Sequence, residues 1–316
     1  MVNTGKFDPK HSTNTDSGTG DTSDGASPSP KLPNLMIGDI EIHLPKDRSL
    51  FGIYQRHPTY DFVYWNVIGG ILAENGIKDA ELIDVGANIG DTIAHFRRFS
   101  QGTAYGVEAQ QHFFRLLEKN MAPVANVKAF HALVCPDDKV GDVNLVGGGA
   151  TGMTTLTPGA GTFKGKTISC AKLVDMTSGP YVFKTDTDGF DDSILADLIT
   201  ALDTGRTDPT IISFEGPTSA QMLDADYDGF IDVIRKICGK GYQLLILSNI
   251  GSMLGFPGTD AAQAEWHLRS LTQALRAKIG YCHYFDFIAV APGLSCKTCD
   301  LTDMDSTIWT DIYRRD

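Results

Sequence analysis

The chain is short of positive charge. Its 27 Lys and Arg stand against 39 Asp and Glu in 316 residues, a formal net charge of −12. That balance excludes a broad basic face for phosphate backbones, so no nucleic-acid partner is expected. No apolar run approaches the ~20 residues of a membrane helix, so no span is expected. No targeting signal is legible either, and the expected location is cytoplasmic. Cysteine is sparse, at positions 135, 170, 238, 282, 296 and 299. The first four lie in apolar or strand-like stretches and read as small buried hydrophobes. Cys296 and Cys299 form one CxxC with no second pair and no His pair nearby, which favours surface or structural thiols over zinc. DADYDG (224–229) imitates the start of a calcium loop, but its twelfth position is Arg235 rather than Glu, so calcium is not expected there.

What is present divides unevenly. Residues 1–34 hold five apolar side chains among Ser, Thr, Gly, Asp, Asn, Pro and Lys. Such a segment buries too little surface to offset its ordering entropy and is expected to be disordered. Residues 35–80 read as a lead-in: an alternating strand or hairpin at 35–44, then a helix over 60–76 with Phe62, Trp65, Ile68 and Leu72 on one face. From 81 to 295 strands and helices alternate. Strands are expected at 81–86, 103–109, 126–134, 181–186, 210–215, 242–248 and 284–292. Helices are expected at 89–99 (Ile93 and Phe96 inward), 111–121 (Phe114 and Leu117 inward), 191–202, 220–239 and 260–279. Residues 296–316 are a C-terminal extension. The alternation predicts an α/β, Rossmann-like fold: a mainly parallel seven-stranded sheet with helices on both faces. Residues 140–178, rich in Gly and Thr, break the rhythm with three strand-like pieces and read as a small β insertion.

The most informative segment is LIDVGANIGDT (82–92). A strand ends in Asp84, a turn carries Gly86, Asn88 and Gly90, and a helix follows. Gly86 permits a sharp turn and Gly90 a close start to the helix. Ligands of open α/β sheets bind at such strand ends. A dinucleotide fingerprint needs GxGxxG, with a middle glycine admitting the pyrophosphate; here that place is Asn88. Asp84 would repel a pyrophosphate and suits an ammonium, such as that of S-adenosylmethionine. Glu108, ending the second strand, can accept both ribose hydroxyls. By position, Ala87, Thr92, Ala109 and Val134 complete the candidate cofactor site. A dinucleotide, or a turn without cofactor, remains the alternative.

DVGANIGDT, YGVEAQQ, FKTDTDGFD and FEGP together resemble the FkbM family of S-adenosylmethionine-dependent methyltransferases, over about residues 80–250. Asp188 and Asp191 stand where that family usually has Glu, and Ala109–Gln110 replace the usual Pro–Asn. The resemblance implies a class I methyltransferase fold and methyl transfer to a hydroxyl, often on a sugar or a polyketide.

An alcohol is a poor nucleophile, so a base should take its proton as the methyl is attacked. Asp186 and Asp188 end the fourth strand and Glu215 the fifth, and these three are the catalytic candidates, Asp186 foremost as base. The same three could instead hold a divalent cation, though the metal-free base is favoured. Asp191 is expected to cap the following helix, Lys184 to pair with a neighbouring acid, and His112 and His131 to be structural. Substrate contacts are expected from Gly147–Thr155, the 216–219 turn and Ser248–Met253, with helix 260–279 as a lid. An NAD(P)- or nucleotide-sugar-dependent enzyme and a non-catalytic nucleotide-binding module are the other readings.

Overall fold

The structure is a computed structural model and describes residues 34–45, 49–57, 60–135, 143–147, 154–158, 166–187, 189–216, 228–249, 253–277 and 284–297. The expected disordered tail, the 217–219 turn, most of the C-terminal extension, Cys282, Cys299 and Asp188 lie outside these residues.

A hairpin opens the described chain: β1 (Leu35–Ile37) and β2 (Ile40–Ile42) pair antiparallel, turning through Gly38 at φ 54°. Two helices follow, α1 (Ser49–Arg56) and α2 (Phe62–Glu74). Then come β3 (Glu81–Val85), α3 (Asp91–Phe96), β4 (Ala104–Glu108), α4 (Gln111–Met121) and β5 (Val127–Val134). The insertion supplies β6 (Val143–Gly147), β7 (Thr154–Pro158) and β8 (Lys166–Ile168). After α5 (Cys170–Val174) the alternation resumes with β9 (Tyr181–Thr185), α6 (Asp191–Leu202), β10 (Ile211–Glu215), α7 (Asp228–Gly239) and β11 (Gln243–Ser248). The last elements are β12 (Met253–Gly258), α8 (Ala261–Arg276) and β13 (Phe285–Val290).

The main sheet runs β12-β11-β13-β10-β9-β3-β4-β5-β8. Its central seven strands are the expected mainly parallel set, with β13 antiparallel between β10 and β11. The fold is therefore Rossmann-like α/β. Two edge strands were not expected in the sheet. β8 comes from the insertion and pairs β5, whereas β6 and β7 form a separate pair. β12 returns antiparallel along β11; its Gly255, Pro257 and Gly258 mask a strand in the sequence and are tolerated because it is an edge.

Other expectations are corrected. KTISCAKLV is not one strand, because the Ser169 hydroxyl accepts from the Lys172 N–H and starts α5. Helix α3 starts at Asp91, not Ile89, since Gly90 sits left-handed at φ 91°. Phe113 rather than Phe114 points inward with Leu117; Phe114 stacks on His131 at 5.1 Å. Helix α8 is no lid: its Ala264 and Leu268 join the core with Val233 and Ile237 of α7.

Buried strands alternate between two cores. Ile83, Val85, Phe183, Phe214 and Phe287 face α5–α8. Leu82, Val182, Ile211 and Val290 face the other side, with α2, α3, α4 and the hairpin. These four form one cross-strand row, as the register shows. The next row on that face, one pleat nearer the strands' carboxyl ends, reads Asp84–Lys184–Ser213–Ile288. Beyond it, Glu215 lies directly opposite Asp286. The α2 face of the sheet thus turns from apolar to charged at the end where ligands of such sheets bind.

Candidate active site

The glycine turn is held from both sides. The N–H groups of Gly86 and Ala87 donate to Val107 O of β4 at 2.9 and 3.0 Å. On the other flank the Asp186 N–H donates to Val85 O at 3.0 Å. Gly86 sits at φ 79°, and a Cβ there would overlap the Asp186 carbonyl. Neighbouring backbone, and not a ligand alone, therefore demands glycine. Gly90 answers to packing instead: a Cβ would press on Leu117 and Met121 at 3.0 Å. Asn88 takes a left-handed φ of 47°, and its N–H donates to Glu108 Oε2 at 2.9 Å.

An open cavity lies over this strand end. Gly86, Asn88, Asp91, Thr92, Lys184, Asp186 and Glu215 line it. The structure thus brings together most of the turn with two of the three catalytic candidates. Of the other candidates, Asp84 stands behind the wall with no exposure, and Ala87 is buried. Glu108 accepts from Asn88 and Gln110. His131 Nε2 lies 3.0 Å from Ala109 O, and Val134 pairs with Ile168. None of these lines the cavity, nor do the described parts of the three expected substrate loops.

The rest of the wall comes from a region the sequence reading left without a role. Leu50 and Ile53 of α1, then Tyr60, Asp61, Tyr64 and Trp65 around the start of α2, face the cavity, as does Asp286 of β13. Asp61 occupies the N-cap place of α2 yet makes no capping bond. It is left-handed at φ 58°, a conformation that costs a non-glycine residue of order 1–3 kcal/mol and persists where surroundings impose it. Tyr54 holds its carboxyl group. Its hydroxyl donates to Asp61 Oδ2 at 3.1 Å and meets the buried His95 Nε2 at 3.0 Å. Tyr64 hydrogen-bonds Ser213, fixing α2 to β10. An aspartate before an apolar helix reads as a cap, so no local signal marks Asp61 as part of a site.

The electrostatics centre on Lys184, which pairs with acids as expected. Its Nζ lies 3.3 Å from Asp84 and 3.2 Å from Asp186. Burial alone would lower its pKa, but Asp186 and Asp84 outweigh that and raise it. Burial pushes Asp84 up to about 6 despite the lysine. Neither Asp84 oxygen receives a hydrogen bond. Burial also opposes ionisation of Asp186, but Lys184 and a hydrogen bond from Glu215 hold it below the usual range. Glu215 is raised by burial and by Asp186, so this pair shares a proton, with the charge on Asp186. Burial raises Asp61 to about 8 and Glu108 to about 7. Asp191 does not cap its helix. Buried, it accepts from the hydroxyls of Thr185 and Thr187 and from the Thr187 N–H, bracing the loop that carries Asp186.

Among the described residues no group of three His, Cys, Asp or Glu could hold a metal ion; Asp188, the third residue of the cation alternative, lies outside them. Cys296 is disulfide-bonded, where a surface or structural thiol was expected. Cys170 and Cys238 are buried as expected, whereas Cys135 is partly exposed.

No family model matches the chain, and no curated protein does. Among solved structures it is similar to an O-methyltransferase from Bacillus cereus in complex with SAH, at 11% identity and a TM-score of 0.39, over 78% of this chain and 92% of that one. It is also similar to the plantazolicin methyltransferase BamL in complex with a triazolic desmethylPZN analog and SAH (11%, TM-score 0.41, 78% and 91%). A third is an rRNA methylase from Streptococcus thermophilus (8%, TM-score 0.37, 71% and 93%). Likenesses this distant carry no argument about chemistry, which is drawn from the residues.

Proposed function

We propose that this chain is an S-adenosylmethionine-dependent O-methyltransferase of the FkbM kind, acting on a hydroxyl of a small molecule, a sugar or glycan, or a polyketide. The observation that carries it is the acid-lined turn. Asp91 faces the cavity beside Gly86 and Asn88, and Asp84 lies behind, paired with Lys184 at 3.3 Å. Such a wall attracts an ammonium or sulfonium and repels a pyrophosphate. Glu108, which ends the adjacent strand outside the cavity lining, is the acceptor this reading assigns to the ribose hydroxyls. Bound there, S-adenosylmethionine supplies an electrophilic methyl. Asp186, the ionised member of its pair, takes the acceptor's proton as the oxygen–carbon bond forms and the carbon–sulfur bond breaks. Glu215, protonated, orients that carboxylate. Tyr64, Trp65, Leu50 and Ile53 exclude water from the acceptor side.

Calorimetry tests this reading. S-adenosylmethionine and S-adenosylhomocysteine should bind, NAD(P) should not, and Glu108→Gln should weaken both ligands about 10–100-fold by removing a charged acceptor. Binding of NAD(P) alone would favour the dinucleotide reading. No binding of either would favour a non-catalytic module.

Affinity should also depend on pH. Glu108 and Asp84 are raised to about 7 and about 6, so each takes up a proton as pH falls through those values. A neutral carboxyl attracts the cationic ligand less. Affinity for S-adenosylmethionine should therefore fall between pH 8 and pH 5, by up to about tenfold per pH unit for each group fully coupled to binding. A flat profile would show that neither carboxylate meets the ligand.

A further inference from the structure

We propose that Asp191 is a positioning residue of the cofactor seat: by tying the loop after β9 to the sheet, it keeps the backbone at Asp186 pressed against the glycine turn. This rests on the methyltransferase reading and gives a role in it to a residue that does not line the cavity.

Asp191 opens α6, yet it is buried and its carboxylate is turned back to the strand before it. Its two oxygens hold different things. Oδ1 accepts from the Thr185 hydroxyl at 2.8 Å. Thr185 belongs to the sheet, paired with Val85 on one side and Phe214 on the other. Oδ2 accepts from the N–H and the hydroxyl of Thr187, each at 3.3 Å. Thr187 belongs to the loop. One side chain therefore fastens loop to sheet through the residues on either side of Asp186. A carboxylate suits this place because it accepts on two oxygens at once and donates nothing. Burial and the neighbouring Asp186 raise Asp191 to about 6, so above pH 7 both oxygens are acceptors.

What the loop presses on is the cofactor turn. The Asp186 carbonyl fills the space that a Cβ on Gly86 would need, and the Thr187 methyl would lie 3.2 Å from that Cβ. The Asp186 N–H fixes the start of the loop on Val85 O at 3.0 Å, and the Asp191 carboxylate fixes its continuation. Without that carboxylate Thr187 loses the oxygen that holds it, and the Asp186 carbonyl turns away from Gly86. The seat at the turn then widens. The Asp186 carboxylate, carried on the same residue, leaves its place in the cavity. A misplacement of about 1 Å caused from outside a site can cost on the order of 100-fold. A purely structural Asp191 would act on α6 alone, through the positive end of that helix, and would leave the turn as it is.

The test uses the full chain at pH 8, titrated with S-adenosylhomocysteine by calorimetry. Asp191→Ala should weaken binding about tenfold or more, with folding checked by circular dichroism. Asp191→Asn should restore affinity to within about fivefold of native, since its oxygen can keep Thr187 while its NH2 donates to the Thr185 hydroxyl. Thr185→Val combined with Thr187→Val keeps volume and removes both hydroxyl ties. That pair should weaken binding about threefold or more and add nothing to Asp191→Ala. Urea unfolding reads the clamp without ligand. Gly86→Ala pushes the Asp186 carbonyl away, and a loop already released by Asp191→Ala yields to it. The combined loss in the folding constant should be at least about fivefold smaller than the product of the single losses, whereas independent sites multiply to within about twofold. Where Asp191→Ala does not fold, the Val pair takes its place in both measurements. Binding by the Asp191→Ala chain within twofold of native, an Asn variant as weak as the Ala variant, or losses that simply multiply overturns the proposal. Failure of S-adenosylhomocysteine to bind the native chain overturns the methyltransferase reading instead, and the urea cycle then decides the clamp alone.

Discussion

Gly86→Ala is expected to cost about 3–4 kcal/mol of stability and to abolish measurable cofactor binding. Gly86 adopts φ 79°, which strains alanine by ~1–2 kcal/mol. The new Cβ would overlap the backbone carbonyl of Asp186, and forced overpacking adds roughly 1–3 kcal/mol. Neither side can yield cheaply. Gly86 and Ala87 are tied to Val107, and the Asp186 N–H is tied to Val85. Relief therefore displaces the turn or pushes Asp186 out of the cavity. Urea unfolding measures the first effect and calorimetry the second. A stability loss under about 1 kcal/mol with binding intact would mean that the turn is looser than its hydrogen bonds imply. The same substitution at Gly179 or Gly205, where a Cβ meets nothing within 4 Å, serves as contrast; Gly179→Ala is the better control, since Gly205 has φ 88°.

Lys184→Met is expected to cost about 3–5 kcal/mol at pH 8, the range for removing one partner of a buried ion pair. Met keeps most of the volume but leaves Asp84, with no exposure, facing Asp91 and Asp186 with no cation. The loss should depend on pH. Asp84 is already raised to about 6 by burial, and without the ammonium its folded value climbs further. An acid raised in the folded state costs nothing below its unfolded value near 4. Its cost grows as pH rises from there to the folded value. The destabilisation should thus be small at pH 4.5 and full at pH 8. Urea unfolding at both pH values checks this, and an equal loss at both would point to packing rather than charge.

Much of this molecule was legible in its sequence. The strand–helix rhythm from Glu81 onward is a local pattern of burial, and each central strand appeared within a few residues of its expected place. The turn at Gly86, Asn88 and Gly90 and the acids Glu108, Asp186 and Glu215 were legible because they sit where strands end, and strand ends are readable from composition. The edges were not. β12 carries Gly and Pro and pairs on one side only, so little in its composition selects a strand. α1 and the role of Asp61 were equally hidden, since a cap and a cavity-lining carboxylate look alike before a helix.

The sequence by itself determined a Rossmann-like sheet with a glycine turn and acids at its strand ends. Periodicity and turn chemistry act over a few residues and need no partner. Only the tertiary structure decided what faces that turn. It set Lys184 between Asp84 and Ser213 in one row, placed Glu215 opposite Asp286, and laid α2 over them through Tyr64 and Ser213, 149 residues apart. Those neighbours are fixed by register and by the burial of Trp65 and Ile68 against the sheet. Both are properties of the assembled core, and no segment of the chain carries them alone.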